Sequence, residues 1–130
     1  MTVTTVIICI DGLDPEYLEI CEAPTMKEIE RSGFLKIGRG MMPSVTNVNN
    51  VSILTGTYPK SHGIASNYRL LRNTMREIFV ESSEYIQAET IFQRAEAMGL
   101  ESILVSSKDK LRSLLGNGAT MAMSSEQPID

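Results

Sequence analysis

The run at residues 3–10 (VTTVIICI), which ends on Asp11-Gly12, constrains this chain more than any other segment. It is rich in β-branched residues, and its last five are all apolar, the pattern of a central parallel strand covered on both faces. Parallel strands need long crossovers, usually helices, so such a strand implies βαβ units along the rest of the chain.

The chain alternates accordingly. Helices are predicted over 15–21, with Pro15 in the first turn, and over 25–32, where Thr25 and Glu28 have capping-box spacing and Gly33 follows the end. Residues 34–38 read as a short strand. Pro43 punctuates a loop over 40–45. A helix is predicted over 47–55 because Val48, Val51 and Leu54 recur at helical spacing and Gly56 ends it. Residues 57–67 read as loop, and 69–83 are ambiguous. A helix over 90–98 has a Thr90/Gln93 capping box, a stripe of Ile91, Ala95 and Met98, and Gly99 as terminator. A strand over 102–105, a helix over 108–115 ending at Gly116 and a strand over 119–123 complete the reading. The expected class is α/β, with a partial sheet of mostly parallel strands flanked by helices. Ligands of such sheets gather at the carboxyl ends of the strands. Asp11 and the 106–110 loop lie at such ends and Thr46 on a loop entering a helix, so one pocket is expected to collect all three.

At 130 residues the chain is at most one domain. Its net charge is −4 and it has no Lys/Arg run, which excludes an ordinary nucleic-acid binder and leaves a small-molecule substrate. The apolar run at 6–10 is too short to span a membrane, and no Lys or Arg precedes it as in a signal peptide. Cys9 and Cys21 lack CxxC spacing, so they are expected to be buried and reduced, as in a cytoplasmic protein. Residues 124–130 stop without a closing element, as in a truncated chain, although a frayed natural terminus reads the same way.

Few residues can carry chemistry. Asp11 is placed to bind a cation, or simply to form its own turn. The Thr46 hydroxyl could attack a phosphorus centre if a metal lowered its pKa; the plainer reading is a helix N-cap. Asn47, Asn49 and Asn50 crowd one helical turn, more than capping requires. Lys108 and Lys110 could clamp a carboxylate, or be surface lysines, although cations oppose the dipole at a helix start. His62, the only histidine, could ligate a metal, but beside Gly63 it reads better as a structural hydrogen-bonding residue.

The segments IICIDGLD, PSVTNVNNVSILTGTYPKSHGIASNY and VSSKDKLRSLLGNG together resemble the alkaline phosphatase superfamily. The phosphodiesterase and nucleotide pyrophosphatase branch shares the middle pattern of Thr, an Asn three residues on, and TG-x-Y-P-x-x-HG. The Asn-Tyr after HGI and the K-D-K-L-R-x-L-L-G string resemble the phosphonoacetate hydrolase branch. The resemblance implies two zinc ions and hydrolysis of the C–P bond of a small-molecule phosphonate, giving acetate and phosphate. It implies that Asp11 binds metal, that Thr46 is the nucleophile and ligates the same zinc, and that Asn67 holds the phosphonyl group. Lys108 and Lys110 would hold the substrate. Asn49 matches an asparagine of the phosphodiesterase branch, and His62 a position that is not a zinc ligand.

The sequence has one His and no DxxxH or DH motif, so its ligand set is incomplete. Residues 1–130 are therefore expected to be the N-terminal part of a single catalytic domain, inactive alone. No nucleic-acid or membrane partner is implied, and a homodimer is left open. The alternatives are a phosphodiesterase or nucleotide pyrophosphatase, or a catalytically inert fragment.

Overall fold

The computed structural model describes residues 4–127, and these fall into two compact units that meet in sequence between Arg39 and Gly40.

The first unit holds two helices. α1 (Pro15–Ile20) starts as its sequence directs: Pro15 is in the first turn, and Asp14 caps it by accepting from the Glu16 N–H at 2.9 Å. α2 (Pro24–Ser32) begins one residue before the expected start. Pro24, with its fixed φ and missing N–H, takes the first helical position. Thr25 is then inside the helix, and the cap position, Ala23, has no side-chain bond. The Thr25/Glu28 capping box therefore does not form. Gly33 caps the end with φ −124°, not in the left-handed conformation.

The strand expected over 3–10 is not formed by its described residues, nor is the one over 34–38: neither stretch has a ladder partner among the described residues. Apolar β-branched sequence makes a strand only where a neighbour supplies the other half of each hydrogen bond. Val6, Ile7, Ile8, Phe34 and Ile37 are exposed. So are Cys9 and Cys21, which are free thiols rather than the buried pair expected.

The second unit contains α3 (Thr46–Thr55), α4 (Pro59–His62), β1 (Tyr68–Leu71), β2 (Arg76–Phe79), α5 (Ile91–Ala97), β3 (Ile103–Ser106), α6 (Asp109–Leu115) and β4 (Met121–Ser124), with a 3-10 turn at Ser83–Tyr85. α4 interrupts the stretch expected to be loop, starting on Pro59 and ending on Gly63 at φ +80°. The ambiguous stretch resolves into an antiparallel hairpin pairing Tyr68 with Phe79 and Leu71 with Arg76. β3 and β4 pair in parallel, Ile103 with Met121 through Ser106 with Ser124, with α6 as the crossover. The mixed α/β class holds. A mostly parallel sheet does not: among the described residues, one pair is parallel and one antiparallel.

The core is Val48, Val51, Ile64, Val80, Leu114 and Leu115, with Val45, Leu54, Leu104 and Leu111 packed against it. Val48, Val51 and Leu54 are the predicted α3 stripe. Burying each aliphatic side chain contributes roughly 1.5–3 kcal/mol. α5 has its predicted capping box, with Gln93 N–H to Thr90 Oγ1 at 3.1 Å and Thr90 N–H to Gln93 Oε1 at 2.9 Å. Its predicted stripe is not buried, since Ile91 and Met98 are exposed. No described helix is long and apolar enough to cross a membrane.

Candidate functional site

The site is built on the start of α3. The helix begins at Thr46 itself, because Val45 holds the extended cap conformation (φ −124°, ψ 157°) and makes no side-chain cap bond. Thr46 is thus the first helical residue rather than the N-cap. A ten-residue helix directs its positive dipole end toward that position.

The capping role passes to Asn67, which follows α4. Its Oδ1 accepts from the Asn47 main-chain N–H at 3.1 Å, satisfying an N-terminal donor of α3. Asn67 is itself fixed, because its carbonyl accepts from Val80 N–H at 2.8 Å. The Asn47 side chain closes the circuit: Nδ2 donates to Val80 O at 2.7 Å, and the residue is 2% exposed. Asn67 is thereby held beside Thr46, with Nδ2 the amide atom not spent on Asn47.

The other two asparagines hydrogen-bond to their own surroundings. Asn49 Oδ1 accepts from Met41 N–H at 2.9 Å, and its Nδ2 reaches Ser44 Oγ and Val45 O, so it braces the 41–45 loop. Asn50 Nδ2 donates to Thr46 O at 2.9 Å.

Lys110 meets the end of β2. Its Nζ lies 4.5 Å from the centroid of Phe79, the residue before Val80. Phe79 in turn meets Tyr68 edge to face, with ring centroids 5.2 Å apart. Lys108 caps α6, and both lysines are exposed. Between them Asp109 is committed to structure, accepting from Arg112 Nε at 2.6 Å and from Ser124 Oγ at 3.3 Å. The Arg112 guanidinium holds the Asp109 carboxyl below its ordinary pKa.

His62 is fully buried. Its Nδ1 accepts from Ile64 N–H at 3.2 Å, so the proton lies on Nε2, which donates to Ser52 Oγ at 2.9 Å. Ser52 passes the chain on to Val48 O at 2.7 Å. Both ring nitrogens are spent on neutral partners, and burial lowers the His62 pKa. The structural reading of His62 holds.

Thr46, Asn67 and Lys110 are therefore joined by short connections within the second unit. Asp11 lies in the first unit, on the exposed turn with Gly12 at φ +76°. The described residues contain no group of three His, Cys, Asp or Glu able to hold a metal. Sequence reasoning did not assign Asn47 its role as buried anchor, nor foresee Phe79. The crowding of asparagines was the signal for the first, and nothing local marked the second. A broad depression of about 640 Å³ lies along β1, lined by Gly63, Ser66, Arg69, Arg72 and neighbours, but its lining includes none of Thr46, Asn67 or Lys110.

Residues 5–107 match the family described as type I phosphodiesterase / nucleotide pyrophosphatase. An ectonucleotide pyrophosphatase/phosphodiesterase of Caenorhabditis elegans is 37% identical over 93 residues, 67% of this chain and 12% of that protein. Ectonucleotide pyrophosphatase/phosphodiesterase family member 1 of Homo sapiens is 32% identical over 110 residues, 78% of this chain and 12% of that protein. Phosphonoacetate hydrolase from Sinorhizobium meliloti 1021 is similar in two crystal structures. The complex with phosphonoacetate gives a TM-score of 0.76 at 38% identity, covering 85% of this chain and 28% of that one. The complex with phosphonoformate gives 0.81 at 36% identity, covering 91% and 31%. The chain thus spans 12% of the length of these two curated relatives.

Proposed function

The chain belongs to the type I phosphodiesterase / nucleotide pyrophosphatase family, and from that premise we propose that it carries the phosphorus-binding part of a phosphonoacetate hydrolase. The observation that carries this reading is Asn67 docked on the first turn of α3 beside Thr46, with Lys110 reached through the same strand end. A phosphonyl group would find a hydroxyl, an amide donor and a helix N-terminus at one end. A carboxylate would find an ammonium at the other. The likeness to phosphonoacetate hydrolase at 36–38% identity supports that choice of substrate.

In the proposed reaction Thr46 Oγ1 gives up its proton to water and bonds to phosphorus as the P–C bond breaks. The electron pair leaves on the methylene carbon, which takes a proton from water and departs as acetate. Water then cleaves the phosphothreonine and releases phosphate. Asn67 Nδ2 would hold a phosphonyl oxygen, and fixed donors of this kind stabilise developing charge without reorganising. Lys108 and Lys110 would hold the carboxylate. Asn49, matched by resemblance to a substrate-binding asparagine, is assigned instead to the 41–45 loop that leads into Thr46.

The resemblance also assigns metal ligation to Asp11 and Thr46, with two zinc ions. Zinc, when bound, would lower the pKa of the Thr46 hydroxyl. A catalytic zinc takes about three protein ligands. One carboxylate and one hydroxyl fall short of that, and the remaining donors would come from outside this chain.

A second reading, nucleotide pyrophosphatase or phosphodiesterase activity, is favoured by the relatives from Caenorhabditis elegans and Homo sapiens. Assaying the full-length protein with phosphonoacetate and a nitrophenyl phosphodiester side by side separates the two. Preference for phosphonoacetate, abolished by Thr46→Ala, is expected. Preference for the diester would overturn the phosphonate assignment, and retained turnover by Thr46→Ala would overturn the nucleophile.

A further inference from the structure

We propose that Phe79 is a positioning residue for substrate selection, acting by holding the Lys110 ammonium over its ring at a fixed place relative to Asn67. The inference rests on the reading of Lys110 as a carboxylate-binding group.

Lys110 is exposed, on the first turn of a seven-residue helix, and a free lysine there would sample many rotamers. Two contacts of Phe79, the last residue of β2, change that. The Lys110 Nζ sits 4.5 Å from the Phe79 centroid, within the range in which the ring face attracts a cation. The Phe79 ring is braced edge to face by Tyr68, its cross-strand partner. The next residue, Val80, is 3% exposed, accepts from Asn47 Nδ2 at 2.7 Å and donates to the Asn67 carbonyl at 2.8 Å. Adjacent residues of one strand end therefore grip the two ends of the site. Phe79 holds the ammonium, and Val80 holds the Asn67 main chain and the Asn47 side chain next to Thr46. The proposed phosphorus-binding and carboxylate-binding groups are thus both anchored at one strand end, and the site would favour phosphonates that carry a carboxylate.

The test compares Phe79→Leu, Phe79→Tyr, Lys110→Ala and the double variant Phe79→Leu/Lys110→Ala in the full-length protein. Substrates are phosphonoacetate and an aryl phosphate ester that lacks the carboxylate. Phe79→Leu should raise the phosphonoacetate KM about three- to fivefold, the size of an exposed cation–π contact. It should change kcat little, and shift aryl ester kinetics less than twofold. Phe79→Tyr should restore the KM, and the double variant should be no worse than Lys110→Ala. A merely structural role for Phe79 would instead affect both substrates alike and add to the Lys110→Ala loss, which would overturn the proposal. A wild-type KM for Phe79→Leu alongside an impaired Lys110→Ala would also overturn it, leaving the carboxylate-clamp reading intact. An unimpaired Lys110→Ala would sink that clamp reading itself. Independently of turnover, the Lys110 ε-methylene protons should show an upfield ring-current shift that Phe79→Leu removes, and its absence in the wild type would disprove the contact.

Discussion

Asn47 and Asn67 are tied across twenty residues of sequence by one hydrogen bond, from the Asn47 main-chain N–H to Asn67 Oδ1 at 3.1 Å. The bond separates the two ends of the Asn67 amide: its oxygen caps α3, and its nitrogen is the donor proposed to hold a substrate oxygen.

Asn67→Asp separates those duties. Aspartate keeps the acceptor and suits a helix N-terminus, so the melting temperature should stay close to wild type. It loses the amide donor and puts a negative charge where phosphonyl oxygens would bind. Turnover should fall about a hundredfold or more, as when a single donor to a developing oxyanion is removed. Asn67→Ala should lose comparable activity and also about 1 kcal/mol of stability, because an α3 donor loses its partner. Thermal unfolding and phosphonoacetate kinetics on the two variants check this, and a stable, fully active Asn67→Asp would refute the substrate-binding role.

His62 should make stability depend on pH. Its folded pKa is lowered by burial, so the unfolded chain binds the proton more readily than the native one. Stability is then full above the unfolded value of about 6.5 and declines as pH falls below it, by up to about 1.4 kcal/mol per pH unit until the folded pKa is reached. Urea unfolding from pH 8 to pH 5 should show that loss, and His62→Gln should flatten the slope below 6.5. An unchanged slope in the variant would show that other groups govern it. Ser52→Ala, which strands the buried Nε2–H, should cost about 1–3 kcal/mol at pH 8.

Local signals were legible where the sequence supplies both partners of an interaction. The Thr90/Gln93 box, the Val48–Val51–Leu54 stripe and the stop at Gly56 lie within one element each and are all present. The readings that did not hold needed a distant partner or a competing neighbour. The strands over 3–10 and 34–38 depend on ladders that the described residues do not provide, and Pro24 displaced Thr25 from the cap. The hairpin was ambiguous because Tyr68–Leu71 and Arg76–Phe79 have no strict apolar alternation, and the pairing is fixed by register. Thr46, Asn67, Lys108 and Lys110 could be named by motif, but the placement of Asn67 and Lys110 depends on Asn47, Phe79 and Val80. That placement is a matter of tertiary contact, which no local spacing encodes.

Gly118 should be the least replaceable glycine beside α5. It has φ +86°, and a Cβ there would lie 2.6 Å from Gln93 N and 2.8 Å from Gln93 Cα. Those atoms are backbone in the capped first turn of α5, so they cannot turn aside as a flexible side chain could. Gly118→Ala combines left-handed strain with overpacking and should cost more than about 2 kcal/mol. Gly56→Ala is the control: φ is +62° but nothing lies within 4 Å of the added carbon, so only the conformational cost of about 1 kcal/mol remains. Equal losses in chemical denaturation would show that the Gln93 contact yields.

Lys108→Gln tests the carboxylate clamp from its other side. Lys108 caps α6 without a side-chain cap bond, and its ammonium sits at the positive end of the helix dipole, a mildly unfavourable place for a cation. Removing the charge should therefore leave stability unchanged or raise it by a few tenths of a kcal/mol. If the charge is kept there to bind a carboxylate, the phosphonoacetate KM should rise about tenfold, while that of an aryl phosphate ester moves less than twofold. The two opposite effects, on stability and on binding, are what a functional cation at an unfavourable position requires. Loss on both substrates alike would instead mean that Lys108 serves the phosphorus end, and would favour the nucleotide pyrophosphatase reading over the phosphonate one.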